Sequence, residues 1–204
     1  LIVRAEYWKS NAEVIVAANQ LGYITDDDFV LDATFGIGVW WKVYRPPALI
    51  TNSLLETIES DFHYDFRKFP DHWKDLFNVV AYDPPYKLNG KPSEADIRYG
   101  VDVRATWEER YELIEQGIVG CSEIVAPDGR LFLKCMDQVC LFEVRWQTKD
   151  FANFAEKHGF VLEDRLDRLR KPRVQPVKNK DGSKRTQRHA QANSSSLLIL
   201  KKVA

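Results

Sequence analysis

A chain of 204 residues with 45% apolar and 12% aromatic content is long enough for one well-packed α/β domain and too apolar for a disordered one. No stretch approaches the roughly 18 apolar residues of a membrane span, and no secretory leader is recognisable, so a cytoplasmic protein without membrane contact is expected. The net charge of −1 hides an uneven distribution: residues 165–188 hold ten Lys/Arg against two Asp, a local +8 on a body of about −9, the pattern of a localised anion-binding surface.

Three cysteines (Cys121, Cys135, Cys140) and four histidines (His63, His72, His158, His189) are dispersed without ligand-like spacing. Reduced thiols and no metal are expected.

In chain order, Ser10-Asn11-Ala12-Glu13 has capping-box spacing and predicts a helix over 12–21 that stops near Gly22. Residues 29–34 read as a first strand, and Phe35-Gly36-Ile37-Gly38 as a tight turn into Val39-Trp40-Trp41-Lys42, closed by Pro46-Pro47. A second strand is expected over 48–52, a short helix over 54–60, a third strand over 62–64 and a fourth over 76–82. Residues 87–105, polar and broken by Gly90, Pro92 and Gly100, read as a long loop of the kind that is functional or disordered. Thr106-Trp107-Glu108-Glu109 opens a second capped helix reaching about Cys121. Pro127-Asp128-Gly129 is a turn before a strand over 130–135, and a helix over 148–158 is stopped by Gly159. Strands over 160–169 and 196–201 follow, joined by the basic segment. The alternation predicts a parallel sheet covered by helices on both faces, and the last two strands an antiparallel hairpin at one edge. The organisation expected is a single domain over 1–204, a basic arm over 165–195, and no separate target-recognition domain.

Two constellations carry chemistry. Asp83-Pro84-Pro85-Tyr86 follows the fourth strand directly, and two prolines end that strand because they cannot donate to its ladder. A carboxylate, a fixed carbonyl and an aromatic ring are thereby held at the carboxyl edge of a sheet, where ligands of open α/β folds bind. The exocyclic amine of a base is a poor nucleophile, its lone pair being conjugated into the ring. The Asp83 carboxylate and Pro84 carbonyl could accept its two hydrogens while Tyr86 stacks on the base. The bland alternative is a proline-rich turn with Asp83 as turn former. The second constellation, Leu31-Asp32-Ala33-Thr34-Phe35-Gly36-Ile37-Gly38, places glycines where a ligand needs close backbone approach. Trp41 stands where a dinucleotide fingerprint would want its third glycine, which argues against a dehydrogenase.

The first stretch resembles the Asp-Pro-Pro-Tyr motif of S-adenosylmethionine (SAM)-dependent amino-methyltransferases, and the second the SAM-binding first motif of class I methyltransferases. The resemblance implies a Rossmann-like class I fold: a mostly parallel seven-stranded sheet with an antiparallel closing hairpin and helices on both faces. It implies SAM as cofactor, with Asp32, Thr34, Phe35, Gly36 and Gly38 around its methionine part. Tyr7-Trp8-Lys9-Ser10 is similar to the tenth motif flanking the same end, contributing Trp8 and Lys9. Asp65-Phe66 is similar to the acidic-aromatic pair at the adenine of SAM. Where the family commonly places an acidic residue for the ribose, Asn52 stands, a departure, with Glu56 as a substitute from the next turn.

The order of motifs resembles one DNA-methyltransferase class. It implies methyl transfer to the N6 of adenine in DNA, with Asp83, Pro84, Pro85 and Tyr86 catalytic. RNA (adenine N6 or guanine N2), cytosine N4, or a catalytically silent nucleic-acid-binding partner are the alternatives. Arg170, Lys171, Arg173, Lys178, Lys180, Lys184, Arg185 and Arg188 are the expected phosphate contacts. Target recognition would come from these, from residues 87–105, or from a protein partner or second copy.

Overall fold

The computed structural model describes residues 8–88, 91–92, 94–99, 101, 105–169, 182–183 and 194–203. The first helix, α1 (Asn11–Gln20), starts at Ser10, whose hydroxyl accepts from the Glu13 amide; Glu13 in turn accepts from the Lys9 amide. β1 (Val30–Asp32), β2 (Leu49–Thr51) and β3 (Phe77–Tyr82) follow, then the short α2 (Glu94–Arg98). Next come α3 (Trp107–Ile124), β4 (Val125–Cys135), β5 (Gln138–Cys140), β6 (Glu143–Arg145), α4 (Gln147–Glu156), β7 (Phe160–Leu169) and β8 (Ser194–Lys202). At α3 the capping box forms in full, Thr106 accepting from the Glu109 amide and Glu109 from that of Thr106.

The main sheet has the order β2-β1-β3-β4-β8-β7. Its first four strands are parallel, and β8 lies antiparallel between β4 and β7. The chain goes from β1 outward to β2, then crosses back to β3 on the other side of β1. The carboxyl ends of β1 and β3 therefore form the topological switch point, the crevice where such sheets bind ligands.

Alternation along the strands divides the interior in two. Val79, Ala81, Phe132 and Ile199 pack with Val14, Ile15 and Ala18 of α1. Val80, Leu131, Leu133 and Leu198 pack with Ile114 and Ile118 of α3 and Phe151 of α4. The helix α3 comes very close to β3 because Gly117 lies on the Tyr82 ring, where any Cβ would collide.

The expected seventh strand is absent among the described residues: residues 62–64 make one bridge, Asn52 to Phe62, and no strand. The physical reason is Asn52. Its amide oxygen accepts from the Tyr64 N–H at 2.8 Å and its amide nitrogen donates to the Tyr64 carbonyl at 2.9 Å. A side chain thus makes the two bonds that a neighbouring strand's backbone would make. The helix expected over 54–60 is also not formed. Thr51 donates to the Asp61 carboxylate from both its amide and its hydroxyl, and Phe62 donates back to the Thr51 carbonyl. These bonds close the intervening residues into a loop. The loop expected over 87–105 contains α2, whose Asp96 pairs with Arg110 of α3 at 3.5 Å, both buried. The turn at residues 127–129 is a bulge inside β4, with Asp128 at φ +61°.

Candidate active site

Asp32 ends β1 and Asp83 follows β3, so two carboxylates meet at the switch point. The loop after β1 turns through Gly36 and Gly38, at φ +56° and +65°, in the left-handed region that excludes bulky L-residues. It then enters a single 3₁₀ turn, Val39–Trp41. That turn presents two consecutive indoles inward. Trp41 Nε1 donates to Asp32 Oδ2 at 2.6 Å, and Trp40 Nε1 donates to Asp83 Oδ2 at 3.0 Å. The Thr34 hydroxyl oxygen accepts from the Asp83 amide at 2.8 Å, welding the two loops together. Between them is a cavity of about 220 Å³ lined by Asp32, Thr34, Phe35, Gly36, Ile37, Val39, Trp40, Asp83 and Tyr99. Tyr99, just after α2, closes one side: its hydroxyl would lie 3.7 Å from a Cβ placed on Gly36.

Burial pushes the Asp32 carboxyl up to about 7, against the opposing pull of the Trp41 indole and the Thr34 amide. Burial also raises Asp83, opposed first by the charge of Lys134 and then by the Trp40 bond. Lys134 of β4 is 1% exposed, and its ammonium is pulled down to about 8 by burial, with Asp83 acting the other way. A cation and a carboxylate thus sit on one face of the sheet behind the cavity.

The proline segment is held rigidly. Pro84 and Pro85 are buried, and the Tyr86 amide donates to the Pro84 carbonyl at 2.7 Å. A carbonyl oxygen has two lone pairs, so Pro84 keeps one for a further donor. The Tyr86 carbonyl accepts from two glutamines, Gln138 Nε2 and Gln147 Nε2, both at 2.8 Å. Asp83 Oδ1 is bonded by no described residue, which leaves it as an acceptor on the residue just before Pro84.

The structure therefore gathers Asp32, Thr34, Phe35, Gly36 and Asp83 around one cavity, with Gly38 and Pro84–Tyr86 adjoining it. It does not gather the others. Trp8 bridges to Arg168 on β7, at the far edge of the sheet, and Lys9 is exposed there. Phe66 is 2% exposed, packed on Tyr82 in the α3-side core, while Asp65 is engaged by Arg67, whose hydrogen bonds hold its carboxyl below the usual range. Asn52 is fully buried and spends its amide on Ala33 and Tyr64, so the expected ribose role is corrected: neither its oxygen nor its nitrogen is exposed to meet a ribose hydroxyl. All eight basic arm residues lie outside the described residues. Sequence reasoning missed Trp40, Trp41, Lys134, Gln138, Gln147 and Tyr99. Two adjacent tryptophans just after a glycine turn were the available signal, since an indole N–H in a polar turn needs an acceptor.

Among the described residues no group of three His, Cys, Asp or Glu side chains converges as metal ligands, the three cysteines are buried and unbridged, and no helix is long and apolar enough to cross a membrane.

No family model matches the chain, and no curated protein matches it. Among solved structures the fold is similar to that of a candidate methyltransferase from Bacillus halodurans C-125, with a TM-score of 0.59 and 12% identity over 94% of this chain and 100% of that one. It is similar as well to the Burkholderia thailandensis 1,6-didemethyltoxoflavin-N1-methyltransferase, solved with 1,6-didemethyltoxoflavin and S-adenosylhomocysteine (TM-score 0.51, 11% identity, 95% and 77% covered). A candidate DNA modification methylase from Thermus thermophilus, complexed with S-adenosyl-L-methionine, matches 69% of this chain with a TM-score of 0.45 and 17% identity; the chain spans about half of that protein's length, 54%. The architecture is thus a mixed α/β fold, a mostly parallel sheet finished by antiparallel strands, and in this it is similar to the Bacillus halodurans structure.

Proposed function

We propose that the protein is a SAM-dependent methyltransferase acting on the exocyclic amine of a nucleic-acid base, the N6 of adenine in DNA. One observation carries the reading: Asp83 and the Gly36 turn line the same cavity, held in register by Thr34 and Trp40. The residues fit the cofactor's reacting end. Gly36 leaves open the space a Cβ would take, and the buried Asp32 carboxylate suits a cationic ligand. At about 220 Å³ the cavity is smaller than the ~300 Å³ of a typical whole-ligand site, so it would take that end and not the entire molecule.

When bound, SAM supplies an activated methyl on a sulfonium, so no metal is needed for transfer. The chain's own contribution is alignment and charge placement. Asp83 Oδ1 and the Pro84 carbonyl accept the two amine hydrogens, turning the nitrogen lone pair toward the cavity. Tyr86 stacks on the base, and the two glutamines on its carbonyl fix the loop that carries it. In transfer the amine's new bond to carbon would replace the methyl's bond to sulfur, whose electron pair stays on sulfur, and the surplus amine proton would pass to Asp83 Oδ1, which already accepts it, and on to solvent. A base in a duplex must first leave its stack to reach this site. Target recognition would fall to the basic segment or to a partner protein or second copy.

The direct test is to incubate the protein with SAM and DNA, digest to nucleosides and identify the modified one by mass. N6-methyladenosine of the deoxy series is the expected product; a modified ribonucleoside from RNA, or none from either polymer, would overturn the reading. Gly36→Val tests the cofactor half. Valine is β-branched, the φ of +56° is strained for it, and its side chain would project into the cavity. SAM affinity in calorimetric titration is expected to fall at least tenfold, while strain of about 1–2 kcal/mol leaves the fold intact.

The arm gives a further expected result. Changing Lys178, Lys180, Lys184 and Arg185 together to Ser should weaken DNA binding and lower the slope of log affinity against log salt by roughly 3–4, because each phosphate contact releases counterions. SAM affinity should be unchanged. An unaltered salt slope would place the phosphate contacts elsewhere, with Lys87, Lys91, Arg98 and Arg104 the next to test.

A further inference from the structure

The tip of the hairpin of β5 and β6 has no part in the site as described. Its two-residue loop, Leu141-Phe142, joins Cys140 to Glu143 with φ of +51° and +68°. Two positive φ values in a two-residue loop make the type I′ hairpin turn, which Asn and Gly adopt at little cost and bulky L-residues only with strain. Leu141 and Phe142 are also 71% and 76% exposed, so no burial within the chain offsets that strain. The free protein carries an apolar pair in the wrong conformation and in the wrong solvent.

The hairpin is fastened to the loop that carries Asp83 and Tyr86. Gln138 of β5 donates to the Tyr86 carbonyl at 2.8 Å and accepts from the Leu88 amide at 3.1 Å, and the Cys140 thiol lies 3.9 Å from the Leu88 carbonyl. On the other strand, the Arg145 guanidinium lies 3.8 Å over the Trp107 ring, and just beyond it Gln147, the first residue of α4, binds the same Tyr86 carbonyl. Leu141 follows Gln138 by three residues, about 10 Å at the rise of a strand. The hairpin that carries the tip is thus tied to the loop on which the target base is proposed to stack.

We propose that Leu141 and Phe142 form a wedge that enters the base stack beside the target nucleotide and fills the gap left when that base turns out into the site. The proposal rests on the base-methylation reading above. Size selects the occupant. Two side chains offer about 400 Å² at most, half of the ~800 Å² that each side of a stable protein interface buries. Apolar side chains pushed between base steps are, in contrast, a recurrent way of unstacking a duplex. A bulky pair held stiffly by its turn fits that task, and Asn-Gly, which the turn itself favours, would not.

The test measures tritiated methyl transfer from SAM to unmethylated genomic DNA, native and heat-denatured, by the full chain and by its L141N/F142G variant. The substituted residues suit the turn, so the variant's Tm should be no lower than that of the unchanged chain; Phe142→Gly alone is a second variant with the same expectation. At least a tenfold loss of rate on native DNA is expected, with less than a twofold change on heat-denatured DNA, whose bases are already unstacked. Unchanged rates on native DNA, or equal losses on both forms, would overturn the wedge and leave base methylation standing. If the unchanged chain methylates neither form, the base-methylation reading fails and the wedge with it.

Discussion

Replacement of Asp83 by alanine is expected to lower methyl transfer at least a hundredfold while SAM affinity stays within a few-fold. The rate loss follows from geometry. In the proposed arrangement Asp83 Oδ1 and the Pro84 carbonyl, in consecutive residues at the end of β3, hold the two amine hydrogens, and removing one would leave a hydrogen unheld as charge develops, a loss of about 2.7 kcal/mol or more. The substitution also takes a partner from Trp40, whose indole is 4% exposed. An unpaired buried N–H costs about 1–3 kcal/mol, or roughly 2–12 °C in Tm for a chain of this size. Asp83→Asn separates the two effects. Its amide oxygen can still accept from Trp40, so stability should recover while transfer stays low, because the second acceptor oxygen has become a donor. Near-normal turnover in folded Asp83→Ala would remove Asp83 from the chemistry.

The second large effect is on stability. Asn52→Asp is expected to destabilise the fold by about 3–5 kcal/mol, read as a fall in Tm of roughly 6–20 °C. Asn52 donates to the Ala33 and Tyr64 carbonyls and accepts from the Tyr64 amide, all within a fully buried site. Aspartate loses both donors and sets a charge against two carbonyl oxygens. The change should be largest at neutral pH, where the carboxylate is ionised, and smaller in acid, where a protonated carboxyl restores one donor. On sequence grounds alone an acidic residue here would tighten ribose binding. Tighter SAM binding with unchanged Tm would restore that view and refute the structural one.

Asn52 shows where sequence reading stops. Its position after the second strand was legible, but its partners were not, because Ala33 and Tyr64 lie 19 and 12 residues away. Local signals fared better. The Thr106–Glu109 pattern formed both bonds of its capping box, and the apolar run before Asp83 became β3. The same holds for Asp32 and Asp83, which any reading of strand ends would bring to one edge of the sheet. What joins them, Trp40 and Trp41, depends on a 3₁₀ turn tight enough to aim consecutive indoles at different carboxylates. The hairpin of β5 and β6 carried no signal at all, since Leu141-Phe142 lacks the glycine, asparagine or aspartate that marks such turns. The helix pattern over 54–60 was present and was overridden by the Thr51–Asp61–Phe62 bonds.

The position of β8 also governs the order in which the molecule can assemble. Among the described residues it is the last strand and the one strand that pairs with β7, yet it lies inside the sheet, with Leu197 to Leu200 at most 1% exposed. During synthesis the four parallel strands would emerge first, with β4 offering an open and strongly apolar edge. The preceding strand, β7, has only the single Trp8 bridge at Arg168 until residues 194–202 have left the ribosome. The nascent chain therefore passes through a stage with two unsatisfied strand edges, the form in which sheets pair with the wrong neighbour. Closure is a late event that captures both at once, so yield on expression should depend on how long translation pauses across the basic segment just before it.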